Sequence, residues 1–339
     1  MGASVVSIKD VATVAGVSTA TVSRALANPD KVQSKTRDKV LEAVHKTGYV
    51  TNSLARSFRT KRTRTVVVLV PDITNSFFAN IIQGIEQVAR SNNYRILLGD
   101  MQNDPENALA YGELCAQRQA DGLISLCRTI PFEYSKSRKT VDPKWPPLVM
   151  ACEYDDIIAV PGVGIDNEAA ALDGVRYLAK QGHRRIAFIN GPEDSPLCRD
   201  RLKGYKKGMA ELGQRAVADL VFHGDFTLDS GAQVARQMCS AKKLPTALFA
   251  ANDAMAIGAL QVIKRSGVSV PKDISIVGFD DVKFSAYCDP PLTTIRQPRR
   301  EIGALSMQMM LDQLEGEAAR GKRIQLPYEL IVRDSVATI

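Results

Sequence analysis

The sequence predicts an α/β protein: an N-terminal three-helix helix-turn-helix headpiece, then a two-lobed body of two doubly wound parallel sheets. Three observations carry this. Charge is concentrated in the first 64 residues, two short helices flank Gly16 in IKDVATVAGVSTATVSRAL, and strands alternate with helices from residue 65 onward. From Met1 to Arg64 twelve basic residues stand against four acidic ones, a net of +8, while the whole chain carries +7, so residues 65–339 sum to −1. A small basic head on a near-neutral body is the electrostatic pattern of a DNA-binding unit carried by something else.

The chain of 339 residues, 45% apolar and 24% charged, has room for two or three domains with large cores. No apolar run approaches the roughly 20 residues a membrane helix needs. Met1–Asp10 lacks the basic-then-apolar order of a secretory signal. Cys115, Cys127, Cys152, Cys198, Cys239 and Cys288 lie far apart with no C-x-x-C pair, so they read as buried, reduced thiols and point to the cytoplasm. His45, His183 and His223 are scattered, so neither a metal nor a cofactor is expected.

In the head, Val11, Ala12 and Ala15 recur at helical spacing after Ile8, and Gly16 stops that helix as a left-handed cap. Ser18 is a good N-cap for a second helix from Thr19 to about Ala27, closed by Asn28-Pro29. A helix, a tight turn with glycine and a second helix make the helix-turn-helix signature; Val14, Val17, Val22, Ala25 and Leu26 are the predicted inner face of this motif, leaving Thr19, Ala20, Thr21, Ser23 and Arg24 outward. In a helix-turn-helix the second helix enters the major groove and its first residues touch base edges. Small side chains at Thr19 and Ala20 allow close approach, and Arg24 can fork onto guanine O6 and N7. A third helix, about Ser34 to Thr47, turns Val40, Leu41 and Val44 inward.

In the body, TVVVLVPD is a buried parallel strand, followed by a helix from Phe77 to about Arg90. YRILLGD, ADGLISLC, PLVMAC, RIAFIN, TALFAA and ISIVGFD read as further strands, and a short segment lies near DLVFHGD. Helices are expected from Asp104-Pro105 to about Arg118, and over 167–180, 200–212, 228–241 and 253–266. Ligands of such folds sit at the carboxyl ends of strands. There the sequence places Asp72, Asp100, Asn252, Asp253 and Asp280, with Arg201 close after the loop GPEDSPLC. Carboxylates, amides and one arginine suit a ligand rich in hydroxyls and polar ring atoms, and Phe77, Phe78 and Phe226 can stack on it. For Asp72, Asn252 and Asp280 a helix cap, and for the phenylalanines core filling, is an equally good reading. Ile302, Leu305, Met309 and Leu311 form a stripe that reads as lobe core.

IKDVATVAGVSTATVSRAL followed by KTRDKVLEAVHKTGYV resembles the headpiece of the LacI/GalR repressors, and the resemblance runs to the C-terminus, where it implies a periplasmic-binding-protein-like body. It implies a hinge helix in NSLARSFRT with Phe58 as the side chain inserted into the minor groove, where the family usually has leucine, and a DNA-contacting set that also takes in Ser7, Ser18, Asn28, Ala55 and Arg59. Residues 52–60 are too few for a stable isolated helix, so ordering on DNA is physically reasonable. The resemblance implies an effector site at Asp72, Phe77, Phe78, Arg201, Phe226, Asn252 and Asp280, with Ser195 and Leu197 on the effector-contacting loop. It also implies a homodimer on operator DNA, with Ile81, Ile82, Ile85 and Val88 as a candidate interface. GPEDSPLCRDRLKGY, GDFT and CDPPLTTIRQPRREIG resemble the cytidine-responsive branch of the family, which implies a nucleoside effector and action beside the cyclic AMP receptor protein. A sugar or purine effector is the alternative. An enzyme is not expected, since no G-x-S-x-G, Walker loop, G-x-G-x-x-G or histidine-centred site occurs. Expected domains are the DNA-binding headpiece 1–51, hinge and linker 52–64, and effector-binding body 65–339. The first lobe takes about 65–164 and 296–325, the second about 165–295 and 326–339.

Overall fold

A computed structural model describes residues 6–49, 62–133, 142, 144–154, 158, 160–214, 218–241, 243–316 and 322–339. It divides into two compact units, Met1–Thr63 and Arg64–Ile339.

The first unit holds α1 (Ile8–Ala15), α2 (Thr19–Ala27) and α3 (Ser34–Thr47). Gly16 stands at φ 64° and ends α1, a conformation that costs glycine nothing and other residues a steric penalty. Val11, Ala12, Val22, Ala25, Val40 and Ala43 form the core. Two inward expectations are corrected. Val14 is 52% exposed and Leu41 50%. Each lies off its helix's buried stripe. Leu41 follows Val40 by one residue and so points about 100° away from it, and the buried partner in the next turn is Ala43.

The second unit contains two six-stranded sheets. The first comprises β1 (Thr65–Val70), β2 (Arg95–Asp100), β3 (Gly122–Ser125), β4 (Leu148–Ala151), β5 (Gly162–Ile165) and β11 (Arg323–Leu326), in the order β11-β5-β4-β3-β1-β2. The second comprises β6 (Ile186–Asn190), β7 (Val221–His223), β8 (Ala247–Ala250), β9 (Ser275–Asp280), β10 (Thr293–Arg296) and β12 (Glu329–Ile331), in the order β12-β10-β9-β8-β6-β7. Every pairing is parallel except β10 with β12. β1, β3, β4, β6, β8 and β9 are apolar and buried nearly throughout, as strands covered on both faces must be. In both sheets the strand order reverses beside the first strand, at β1/β3 and at β6/β8, and the crevice beyond those strand ends is where such folds bind ligands.

The helices of this unit are α4 (Phe77–Ser91), α5 (Pro105–Ala116), α6 (Asn167–Lys180), α7 (Pro196–Glu211), α8 (Leu228–Cys239), α9 (Asp253–Arg265) and α10 (Arg299–Glu315). Asp104, Asp166, Ser195, Thr227 and Asn252 cap α5 to α9 by accepting a first-turn N–H. The chain passes between the sheets three times, after β5, after β10 and between β11 and β12. One expectation shifts here: the helix placed at 200–212 begins at Pro196, because Ser195 caps it and proline is preorganised for a first turn. The Ile302 stripe is lobe core: Ile302, Met309 and Leu311 are buried with the first sheet. Ile81 and Ile85 are fully buried in that same core, so they are not surface available to a partner. α4 and α10 cross so closely that a Cβ at Gly84 would lie 2.1 Å from the Arg300 carbonyl oxygen. All six cysteines are unpaired thiols, four of them buried, and no described helix is long and apolar enough to cross a membrane.

Candidate functional site

In the head, Ser7 and Ser18 are helix starters. The Ser7 N–H and hydroxyl both donate to the Asp10 carboxylate at 2.8 Å, which holds that carboxyl below its usual range. Ser18 accepts from the Thr21 N–H at 3.1 Å and lies 2.9 Å from the Thr21 hydroxyl. Both hydroxyls are therefore occupied in fixing the start of α2. Thr19, Ala20, Arg24 and Asn28 are exposed, whereas Thr21 and Ser23 are half-buried. Ala55, Phe58 and Arg59 lie outside the described residues.

In the body, the second sheet's carboxyl edge brings Arg201 and Asp280 together. Arg201 is 4% exposed and Asp280 6%. Arg201 Nε donates to Asn167 Oδ1 at 2.9 Å, one terminal nitrogen donates to the Ala251 carbonyl, and the other stands 3.9 Å from Asp280 Oδ1. The guanidinium lies 3.7 Å over the Phe279 ring. Asp280 also accepts from Gln297 Nε2 at 2.7 Å, and its backbone stands at φ 109°, where L residues are strained. Burial pushes its carboxyl up to about 6, against the pull of Arg201. Asp253 beside it accepts from the Val282 N–H at 2.8 Å and from the Ser285 and Thr294 hydroxyls at 2.5 and 2.6 Å. Burial, reinforced by the Asp280 charge, raises it to about 7.

Asn252 has both its polar atoms in scaffolding: Oδ1 accepts from the Met255 N–H and Nδ2 donates to the Phe226 carbonyl, both at 2.9 Å. Phe226 stands at φ 70°, with its ring where a Cβ on Gly191 would be, 2.5 Å away. The first lobe contributes Phe77 and Phe78, 8% exposed and edge-to-face at 5.1 Å. Asp72 is bonded within its own turn, accepting from the Thr74 N–H and hydroxyl at 2.8 and 2.7 Å. Leu197 is half-buried in the first turn of α7.

Contacts among the described residues join the lobes, beyond that of Gln297 with Asp280. The Ser195 hydroxyl donates to Glu153, Arg128 grips the Asp194 carboxylate and its main-chain oxygen, and Arg299 donates to the Asp281 carbonyl at 2.6 Å while lying 5.8 Å from the centre of the Phe77 ring. Burial raises the Glu153 carboxyl. Sequence reasoning missed Arg128, Glu153, Asn167, Asn190, Gln297 and Arg299. Glu153 and Asn190 end or follow strands that were read from the sequence, so the strand-end rule could have found them. Asn167 signals only a helix start, and Gln297 and Arg299 belong to a crossover whose destination is set by tertiary structure.

Residues 7–52 match the family model for bacterial regulatory proteins of the lacI family, and residues 175–336 match a periplasmic binding protein-like domain. The chain is 42% identical over 333 residues to the HTH-type transcriptional repressor CytR of Escherichia coli K12, covering 98% of this chain and 96% of that one. It is 35% identical to catabolite control protein A of Priestia megaterium, covering 97% and 99%. Among solved structures, a lac repressor dimer bound to operator and an anti-inducer matches with TM-score 0.86 at 28% identity, covering 98% and 99%. A CelR–cellobiose complex matches with TM-score 0.72 at 30% identity, covering 97% and 99%. A basic helix-turn-helix head, two lobes with reversed strand order, and near full-length identity to repressors lead to one conclusion: the chain belongs to the LacI family of bacterial transcriptional regulators.

Proposed function

We propose that this chain is an operator-binding repressor whose DNA affinity is set by a nucleoside held between the two lobes of its body, with cytidine the first candidate. The observation that carries the proposal is the buried Arg201–Asp280 pair at the carboxyl ends of the second sheet, with Phe226 and Asn252 at the neighbouring strand end. A guanidinium and a carboxylate in one dry site offer a donor and an acceptor to vicinal hydroxyls, and an aromatic ring offers a face to a flat base. Ser195 and Leu197 bring in the first turn of α7, and Asp72, Phe77 and Phe78 form the opposite wall. The likeness of GPEDSPLCRDRLKGY and GDFT to the cytidine-responsive branch selects a nucleoside within that chemistry.

On the DNA side, Thr19, Ala20 and Arg24 are the base-reading residues, and Ser7, Ser18, Thr21, Ser23 and Asn28 set the helix against the backbone. Ala55, Phe58 and Arg59 form the hinge contact, with Phe58 as a minor-groove wedge. Two copies on a near-palindromic site complete the assembly. Joint action with the cyclic AMP receptor protein is carried by the resemblance alone. The ligand acts by binding one lobe arrangement better than the other, and the Ser195–Glu153, Arg128–Asp194 and Arg299–Asp281 contacts are the ones such a change must remake. The family resemblance favours release of DNA.

A sugar is the second reading, since one structural relative, at 26% identity and TM-score 0.68, was solved with bound ribose. Calorimetric titration of the full chain with cytidine, adenosine, uridine and ribose tests both. Micromolar binding of a nucleoside with ribose silent supports the proposal, whereas binding of ribose alone replaces it with the sugar reading.

A further inference from the structure

Among the described residues, three buried side-chain polar atoms have no hydrogen-bond partner: Tyr154 Oη, Arg185 Nε and Asn190 Oδ1. Two have positions remote from the crevice of the second sheet. Tyr154 lies against Gly162 and Gly164 of β5, in the first sheet, with Arg323 over its ring. Arg185 precedes β6 at its amino end, and its terminal nitrogens reach Asp219. Asn190 is different. It is the last residue of β6, 2% exposed, at the carboxyl edge where the second sheet reverses its strand order.

Strand alternation fixes the direction of its side chain. Asn190 shares a sheet face with Phe188, whose ring stacks on Tyr205 of α7 at 4.8 Å. Two residues further along the strand, Asn190 lies nearer the first turn of α7 than Phe188 does. Across the ladder, Ile189 pairs with Ala250, so Asn190 stands beside Ala251, whose carbonyl takes the Arg201 guanidinium. At the next residue, Gly191, the Phe226 ring and the Cys198 sulfur both crowd the position a Cβ would take, at 2.5 and 2.7 Å. A buried acceptor without a partner is costly to folding and persists where function requires it.

We propose that Asn190 is a specificity-determining residue of the effector site, its amide recognising the hydrogen-bonding edge of a nucleobase whose face rests on Phe226. This rests on the nucleoside reading and deepens it. Arg201 and Asp280 take the hydroxyl-bearing part of the ligand, and Asn190 takes the base. Its amide oxygen accepts from an exocyclic amine of the kind carried by cytosine and adenine, and its amide nitrogen supplies a donor for the adjacent ring nitrogen.

The test is calorimetric titration of the full chain and of its Asn190→Leu and Asn190→Asp variants with cytidine, adenosine and ribose. Asn190→Leu keeps the size and removes the polar atoms, so nucleoside affinity falls at least tenfold. Its melting temperature rises, because an unpartnered buried acceptor has gone. Asn190→Asp keeps the acceptor and stays closer to wild type toward the amine-bearing bases than the leucine variant does. A leucine variant that binds nucleosides as wild type does overturns the assignment while leaving the nucleoside reading standing. A wild-type chain that binds no nucleoside overturns both. A leucine variant whose affinity and melting temperature fall together assigns Asn190 to the scaffold and also overturns the proposal.

Discussion

Arg201 and Asp280 stand 3.9 Å apart with both side chains almost wholly buried, and for each the loss of water outweighs the attraction of the other. Burial lowers the Arg201 guanidinium and raises the Asp280 carboxyl, although each pulls its partner the opposite way. Such a pair is weak evidence for stability. Its place at the strand ends makes sense as chemistry for the proposed ligand, whose hydroxyls would add to the hydrogen bonds the pair already makes.

Truncation of Arg201 therefore has two consequences. Arg201→Ala leaves Asp280, Asn167 and the Ala251 carbonyl without their guanidinium, and urea unfolding of the body loses about 3–5 kcal/mol. Arg201→Lys keeps the charge but loses the planar fork. It should fold, bind operator, and show no nucleoside response. A normal response in Arg201→Lys would remove the guanidinium from the site.

Arg24 is exposed on α2. Arg24→Ala is expected to weaken specific operator binding by about 1–3 kcal/mol, with an unchanged melting curve. The measurement is anisotropy of a labelled operator at fixed salt. Undiminished affinity would place α2 elsewhere than in the major groove.

His183 links the chain's end to the second lobe: Nδ1 lies 3.1 Å from the Thr246 hydroxyl and Nε2 3.1 Å from the Ala337 carbonyl. Burial lowers the imidazole below 6.5. The folded protein thus holds His183 neutral, while the unfolded chain takes up a proton as pH drops through about 6.5. Its stabilising contribution is complete above that pH and is lost below it. Melting temperatures of wild type and His183→Gln between pH 7.5 and 5 should differ most at pH 7.5 and converge toward pH 5. A constant difference would contradict the burial argument.

A methyl group at Gly84 would lie 2.1 Å from a backbone oxygen of α10, which no side-chain rotation relieves. Gly84→Ala should cost about 1–3 kcal/mol through forced separation of α4 and α10. An unchanged urea midpoint would mean that the two helices slide apart freely.

The architecture was legible because strands covered on both faces read as apolar runs, and because Gly16, Ser18 and Asn28-Pro29 punctuate the head. Asn167–Lys180 and Ser34–Thr47 match their expected bounds. What was not legible depended on the third dimension. Val14 and Leu41 are apolar yet exposed, since composition alone does not say which side of a helix stripe a residue falls on. Asp72 and Asn252 were ambiguous between cap and ligand, and in this structure each acts as a cap or turn former. Glu153 and Arg128 gain their meaning only from Ser195 and Asp194 across the lobes.

In the proposed function, one small molecule in the body controls the head's grip on DNA. Its most direct test is anisotropy of a duplex selected by the full chain from a random pool, titrated with protein in the presence and absence of cytidine. Tight, salt-sensitive, sequence-specific binding that cytidine weakens at least tenfold is the expected result. Identical binding curves with and without cytidine, adenosine or uridine would contradict nucleoside control.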